Sequence, residues 1–326
     1  MKLKSAIVAL AALAAGALPA HAAEKMRCSH QLPPPHHIAK VVEKWAEVVR
    51  KESGGDLDVQ IFGASSLVDA RKNITAVAKG EIECAFSLNF QWGKTLPLMN
   101  VTVAPFAFGD LAIWRKWPDS APAKFLEEKL LAKGVRNVVW MFQTNTSVFT
   151  TKGKFLIKPE DFKGKKIRGI NRQFDAGLKA LGGVPTAMPG NEVYQALATG
   201  VLDAGVTDAA AAVSRKYYEV QDHFTVLPVL SAYLHGYVNP KWYDGLSAKA
   251  KAALATAGKQ AALWAIEASA EAGAAAPKQL EAKGAKVHIN TAEENKALEA
   301  LMRPAFDASF GADPDSKKLI DLIKKM

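Results

Sequence analysis

The chain predicts an α/β fold of two lobes, and three features point to it. In the first, over 162–208 (FKGKKIRGINRQFDAGLKALGGVPTAMPGNEVYQALATGVLDAGVTD), short apolar strands alternate with helical runs. Strand, helix, strand, helix is the grammar of an open sheet whose ligands lie beyond the carboxyl ends of its strands. The second is a pair of βαβ steps near the start of the chain, which argues for a parallel sheet. The third is size. About 304 residues follow an N-terminal export signal, and single cores stop growing near that length.

The export signal is read from Lys2 and Lys4, the apolar run 6–18 and the small-x-small site Ala20-His21-Ala22, with cleavage expected after Ala22. Its run of about 13 residues is short of the ~20 that span a bilayer. No cysteine follows it to carry a lipid, and no later run is long enough to span. The mature chain is therefore expected in the periplasm.

Composition removes several function classes. The formal charge is +10, but the basic residues are scattered rather than gathered into a stripe with interleaved aromatics. With export, this argues against nucleic-acid binding. Two cysteines, Cys28 and Cys84, are too few for a disulfide scaffold. Both fall in expected neighbouring strands, so a bridge and two buried thiols both stay open. His30, His36 and His37 cluster in a proline loop, but adjacent histidines are poor partners for one metal and no Cys or carboxylate is interleaved; no metal or cofactor is expected.

Along the chain, KMRCSH reads as the opening strand. Apolar positions at Ile38, Val41, Val42, Trp45, Val48 and Val49 predict a helix over 38–52, stopped by Ser53-Gly54-Gly55. LDVQIFG alternates as a strand, 68–79 is a short helix, and IECAFSL is the next strand. A helix over 121–133 and strands over 135–142 and 148–151 lead into the 162–208 segment. Leu246-Ser247 then caps a helical pattern over 248–283, long enough to lie across both lobes. A strand over 286–289, a helix over 294–308 and a polar, lysine-rich end complete the chain.

These pieces together resemble the periplasmic solute-binding proteins of the tripartite ATP-independent (TRAP) transporters. The specific part is P-E-D-F-K-G-K-K-I-R-G over 159–169, then G-G-V-P-T-A-M-P and E-V-Y-Q-A-L-A-T-G-V-L-D-A over 192–204. Ser53-Gly54-Gly55, Pro105-Phe106 and Asn239-Pro240-Lys241-Trp242 support it. The resemblance implies a two-lobe α/β periplasmic binding protein with a hinge and a long helix spanning both lobes. Lobe I is expected over 23–149 plus 236–262, and lobe II over 150–235 plus 263–326. It also implies a monomeric receptor that closes on a small carboxylate and delivers it to membrane permease subunits.

An arginine at a strand end is a permanent cation whose planar fork fits a carboxylate. Arg168 has that position, and the resemblance makes it the residue that bridges the ligand. A second arginine frequent in the family, just before Phe-Thr, is replaced here by Ser147. Arg168 is thus expected to be the sole strong cation. Asn191 opens a helix and reads either as its N-cap or as a ligand contact. Asp208, with Thr207, lies past the strand end LDAGV and reads either as a helix cap or as a polar contact. Asn89, Phe90 and Trp92 end the strand IECAFSL and are either apolar cleft walls or core. Tyr233, near the expected hinge, reads as the source of a hydroxyl for the ligand, and Ser147 as a further polar contact.

The favoured function is a binding module for an organic acid, first a monocarboxylate with an apolar or aromatic body. A C4-dicarboxylate comes second, with Arg172 as a donor for its other end. A ligand-sensing protein for a signalling partner shares the same features. An enzyme is disfavoured: there is no G-x-S-x-G elbow, H-E-x-x-H or phosphate loop.

Overall fold

The structure is a computed structural model that describes residues 23–311 and 313–326; the expected export signal lies outside the described residues. Strand β1 (Glu24–Ser29) pairs in parallel with β2 (Leu57–Phe62) and with β3 (Cys84–Leu88). Helix α1 (His37–Ser53) joins β1 to β2 and α2 (Asn73–Lys79) joins β2 to β3. α1 forms because Ile38, Val41, Val42, Trp45 and Val49 share one face, and all five are buried. It ends at Gly54, whose left-handed backbone directs its N–H to the Lys51 carbonyl. α2 starts later than the expected 68–79. Asp69 instead anchors a turn, its side chain accepting from the Arg71 N–H.

After α3 (Leu111–Lys116) and α4 (Ala121–Leu131) comes β4 (Arg136–Thr144). A late strand, β10 (Ala232–Val238), enters antiparallel between β3 and β4 and completes a sheet of order β2-β1-β3-β10-β4. The second sheet contains β5 (Ser147–Thr151), β8 (Gly205–Asp208), β9 (His223–Leu227) and β11 (Lys286–Ile289), in the order β11-β9-β5-β8. A two-stranded parallel piece, β6 (Lys166–Gly169) with β7 (Val184–Ala187), is tied to it by the Ile167–Ala204 bridge. Helices α5 (Arg172–Ala180), α6 (Val193–Ala198) and α7 (Ala209–Ser214) complete this half.

The chain crosses between the sheets from β4 to β5 and from β9 to β10. After the short α8 (Pro240–Gly245), the 34-residue helix α9 (Ala248–Glu281) follows, capped by Ser247 as expected. α9 packs on α1 and β4 of the first sheet and on α7 and β11 of the second. Its buried face is mostly small: Ala250, Ala253, Ala257, Gly258, Ala261 and Ala265. That lets its backbone approach β4 closely; a Cβ on Gly258 would lie 2.5 Å from the Val138 carbonyl oxygen.

The C-terminal part departs from expectation. α10 (Ala292–Phe310) packs on α5 of the second half, but the end read as merely polar is a helix, α11 (Pro314–Lys324), which packs on α4 of the first. Asp313 caps it, Pro314 starts it, and Leu319 is fully buried. Among the described residues no helix is long and apolar enough to cross a membrane.

An aromatic cluster fills the first half behind β10. Tyr233 packs edge-on to Trp140 at 5.0 Å, and Trp92 lies against His235 and Tyr237 at 5.5 and 5.4 Å. Cys28 and Cys84 stand directly opposite each other on β1 and β3, both buried as free thiols.

The close approach of α9 yields a stability prediction. Gly258→Ala gains about 1 kcal/mol of helix propensity but forces a methyl group onto backbone that cannot yield cheaply. Overpacking of this kind costs about 1–3 kcal/mol. We expect the urea midpoint of Gly258→Ala to fall with unchanged m-value; a midpoint at or above that of the parent contradicts the close packing.

Candidate functional site

Arg168 sits in β6 with its side chain 2 % exposed. Its Nη1 donates to the Val206 carbonyl at 2.7 Å, and Nε and Nη2 both donate to the Met188 carbonyl at 3.3 Å. A guanidinium has five N–H donors, so one hydrogen on each terminal nitrogen remains: a fork matching the two oxygens of a carboxylate. Among the described residues it forms no ion pair, and the Phe90 ring centroid lies 6.0 Å from its central carbon. Burial lowers its pKa to about 10, so it remains a cation at neutral pH.

Around this fork is a small cavity walled from both halves. Leu88, Phe90, Gln143 and Thr144 come from the first sheet and the segment after it, while Thr207, Asp208 and Arg215 come from the second half. Its free volume is about 10 Å³, about what one water needs. Entry of a larger molecule therefore requires the halves to part. A neighbouring cavity of about 180 Å³, lined by Gln31, Pro33, Ala64, Gly190, Asn191 and Tyr194, shares Arg215 as a wall. Two larger grooves of about 710 and 730 Å³ open elsewhere, but the cations lining them are exposed lysines. Size alone does not locate the site; buried charge does.

Contacts across the cleft hold the halves together. Asn100 exchanges side-chain hydrogen bonds with Asn171 and Gln173 at 3.0 and 2.9 Å. The Gly190 N–H donates to Gln31 Oε1 at 3.1 Å, and Gln143 Nε2 donates to Asp208 Oδ2 at 3.3 Å. At the rim, Arg71 grips Glu192 with both terminal nitrogens.

The expected site residues divide into two groups. Arg168, Thr207, Asp208 and Phe90 line the first cavity and Asn191 the second. Asp208 also caps α7, its Oδ1 accepting from the Ala210 N–H at 2.9 Å. Asn191 is exposed and caps nothing, because α6 starts after Glu192. The other four face away. Ser147 is buried and donates to the Leu230 carbonyl at 3.1 Å. Asn89 donates from Nδ2 to Met99 O and Thr102 Oγ1 and accepts the Tyr233 N–H, which fastens the β3 end to its neighbours. Trp92 and Tyr233 belong to the aromatic cluster, their bulk taken up by packing. Arg172, the donor considered for a second carboxylate, is exposed at the start of α5.

Arg168 is not the sole cation, because Arg215 borders both cavities. Sequence reasoning missed it, along with Gln31 and Gln143. In S-R-K-Y-Y the arginine reads as one more surface cation beside Lys216. His36 Nδ1 accepts the Ile38 N–H as cap of α1, which leaves the proton of the neutral ring on Nε2, 3.7 Å from Asp208 Oδ2. Burial raises the Asp208 pKa and holds that of His36 well below its usual value, so burial shifts each toward its uncharged form. His36, His37 and Asp208 have ligand atoms within 4.8 Å of one another. However, His36 Nδ1 is spent on its cap, and His37 Nε2 bonds Gln143 O and Ser269 Oγ.

Two lobes joined by three crossings, with a buried cation between strand ends and contacts closing over it, define a solute-binding protein of the closing type. The chain belongs to the bacterial extracellular solute-binding protein family 7, whose family model matches residues 28–313. It is 29% identical over 291 residues to the C4-dicarboxylate-binding periplasmic protein DctP of Rhodobacter capsulatus, covering 86% of this chain and 85% of that one. It is 30% identical to the 2,3-diketo-L-gulonate-binding periplasmic protein YiaO of Escherichia coli, over 80% of each. Among solved structures, the sugar acid binding protein DctPAm of Advenella mimigardefordensis, in complex with galactonate, superposes with a TM-score of 0.86. It is 25% identical, and the match covers 93% of this chain and 98% of that one. The protein is thus an extracellular solute-binding protein by family, with a buried cation, unpaired among the described residues, in the cleft between its lobes.

The buried histidines set a pH dependence. Burial holds His30 at about 4 against an ordinary 6.5, and His235 at about 3. Their folded-state values are depressed, so no stability is lost above pH ~6.5, where both states are neutral. Below it the unfolded chain takes up protons first, and stability falls as pH drops from 6.5 toward 4. Asp175, raised by burial to about 6, acts the opposite way, losing stability as pH rises from 3.8 to 6. The histidine shifts are larger and outweigh it. We expect Tm to be flat from pH 8 to 7 and to fall toward pH 4, less steeply in His30→Gln; a Tm that rises on acidification contradicts this.

Proposed function

We propose that this protein is a periplasmic receptor that takes a small organic acid into the cleft, binds its carboxylate on the free fork of Arg168 and presents the closed complex to TRAP permease subunits. The observation that carries this reading is a buried guanidinium neutralised by no carboxylate among the described residues, its remaining donors turned to a cavity between the lobes. A low-dielectric site strengthens that attraction, and an anion that replaces water there gains from the cation and from the carbonyl-fixed geometry.

Closure supplies the switching element. Ligand contacts from both lobes exist together only in the shut form, so the acid shifts the population toward it by its differential affinity. In this reading the lobes meet at the crossings 145–146 and 228–231 rather than at the expected 149/150 and 235/236, because β5 pairs in the second sheet and β10 in the first, and α9 is the third connection. The receptor works as a monomer that captures its ligand without chemistry, in keeping with relatives that are named as binding proteins.

Isothermal titration against aliphatic, hydroxy, sugar and dicarboxylic acids tests this directly. Removing one partner of a buried ion pair costs about 3–5 kcal/mol, so Arg168→Ala should weaken the best acid by at least about a hundredfold. Arg168→Lys, which keeps the charge but not the fork, should fall between. Micromolar binding retained in Arg168→Ala, or binding of neutral sugars alone, rules the assignment out.

A further inference from the structure

The second cavity has its own chemistry. Arg215 follows α7, and its side chain runs back into the cleft to separate the two cavities. Its Nε and Nη2 are buried and have no hydrogen-bond partner among the described residues; Nη1 reaches Thr207 Oγ1 at 3.5 Å. Like Arg168, it forms no ion pair among the described residues. Its position is fixed by Gly190, where an added Cβ would lie 2.7 Å from the guanidinium carbon. Gln31, 1 % exposed, gives its Oε1 to the Gly190 N–H, which orients its amide so that Nε2 has two hydrogens and no acceptor. The buried polar groups left without partners around this cavity are all donors.

A buried donor without an acceptor costs free energy comparable to a lost hydrogen bond. Three such donor atoms on two side chains from different lobes, held by a glycine that admits the guanidinium, describe a subsite for acceptor oxygens. An apolar or aromatic body placed there would leave all of them unpaired.

We propose that Arg215 is the second cation of the cleft, that with Gln31 it forms an oxygen-binding subsite beside the Arg168 fork, and that the acid carried is two-ended. One carboxylate lies on Arg168, and the far end brings acceptor oxygens of a second carboxylate or of the hydroxyls of a sugar acid. This replaces the apolar-bodied monocarboxylate expected from Arg168 alone, and it rests on Arg168 holding the first carboxylate.

The test is calorimetry on the mature protein with one-ended probes, butanoate and benzoate, and two-ended probes, butanedioate, 2-oxopentanedioate and galacturonate. At least one two-ended acid should bind tenfold or more tightly than either one-ended acid. Preference for galacturonate over butanedioate assigns the far end to hydroxyls; the reverse assigns it to a carboxylate. Arg215→Gln should remove that advantage, weakening the two-ended acids at least tenfold more than butanoate, which loses only the long-range attraction of a cation bordering its cavity, and Gly190→Ala, which displaces the guanidinium without deleting it, should do the same. If Arg215→Gln does not fold, the ranking in the parent protein and Gly190→Ala decide. Butanoate or benzoate binding as tightly as every two-ended acid overturns the proposal, as does an equal loss for both sets in Arg215→Gln. Either outcome leaves the Arg168 reading standing, whereas failure of every acid to bind defeats that reading itself.

Discussion

A permanent positive charge, buried and held by backbone carbonyls rather than by a carboxylate, is the constraint on which this molecule is built. Solvating a guanidinium inside a protein is expensive, and the fold meets that cost with the ends of two chain segments. Val206 lies in β8, and Met188 follows β7, so the carbonyls that hold Arg168 depend on the β6–β7 pair and the Ile167–Ala204 bridge. The sheet thus fixes the guanidinium in position while leaving its charge uncompensated. On the other side of the cleft the Phe90 ring faces that charge, while Leu88, Gln143 and Thr144 close the same cavity.

Closure follows from how the halves are connected. Two short crossings carry the chain between the sheets, and α9 braces both with a face of small side chains. The polar contacts that seal the cleft, Asn100 with Asn171 and Gln173 and Gln31 with Gly190, involve groups that water can satisfy equally well when the lobes part. Opening therefore strands few buried polar atoms, which suits a receptor that must both capture and release.

Much of the fold was legible because its signals are local. Helical period with a glycine stop defined α1, the Leu-Ser pair marked the start of α9, and Ile-Arg-Gly placed Arg168 at a strand end. The site was legible only where it shares those signals. Trp92 and Tyr233 were ambiguous because a strand end faces both a cleft and a core; packing decides, with Tyr233 among Trp114, Trp117 and Trp140 and Trp92 against His235 and Tyr237. Gln31 and Gln143 carry no local mark at all: their partners lie 159 and 65 residues away across the cleft, and Arg215, although near Thr207 in sequence, reads like the surface lysine beside it. α11 was missed for a different reason: its lysines outweighed both the Asp313-Pro314 start and the apolar face of Leu319, Ile320, Leu322 and Ile323 that packs on the core.

The Arg71–Glu192 grip at the rim has a kinetic meaning. Both side chains are well exposed, at 54 % and 36 %, and a pair so open to water contributes about 0.2–1 kcal/mol. That is less than the 1.4 kcal/mol that corresponds to a tenfold change in a rate or an equilibrium. The grip works as a damper, lengthening the life of the shut form by a small factor that surrounding salt screens further. Salt at the mouth therefore tunes how long the shut form lasts without touching the buried cation, which lies out of its reach.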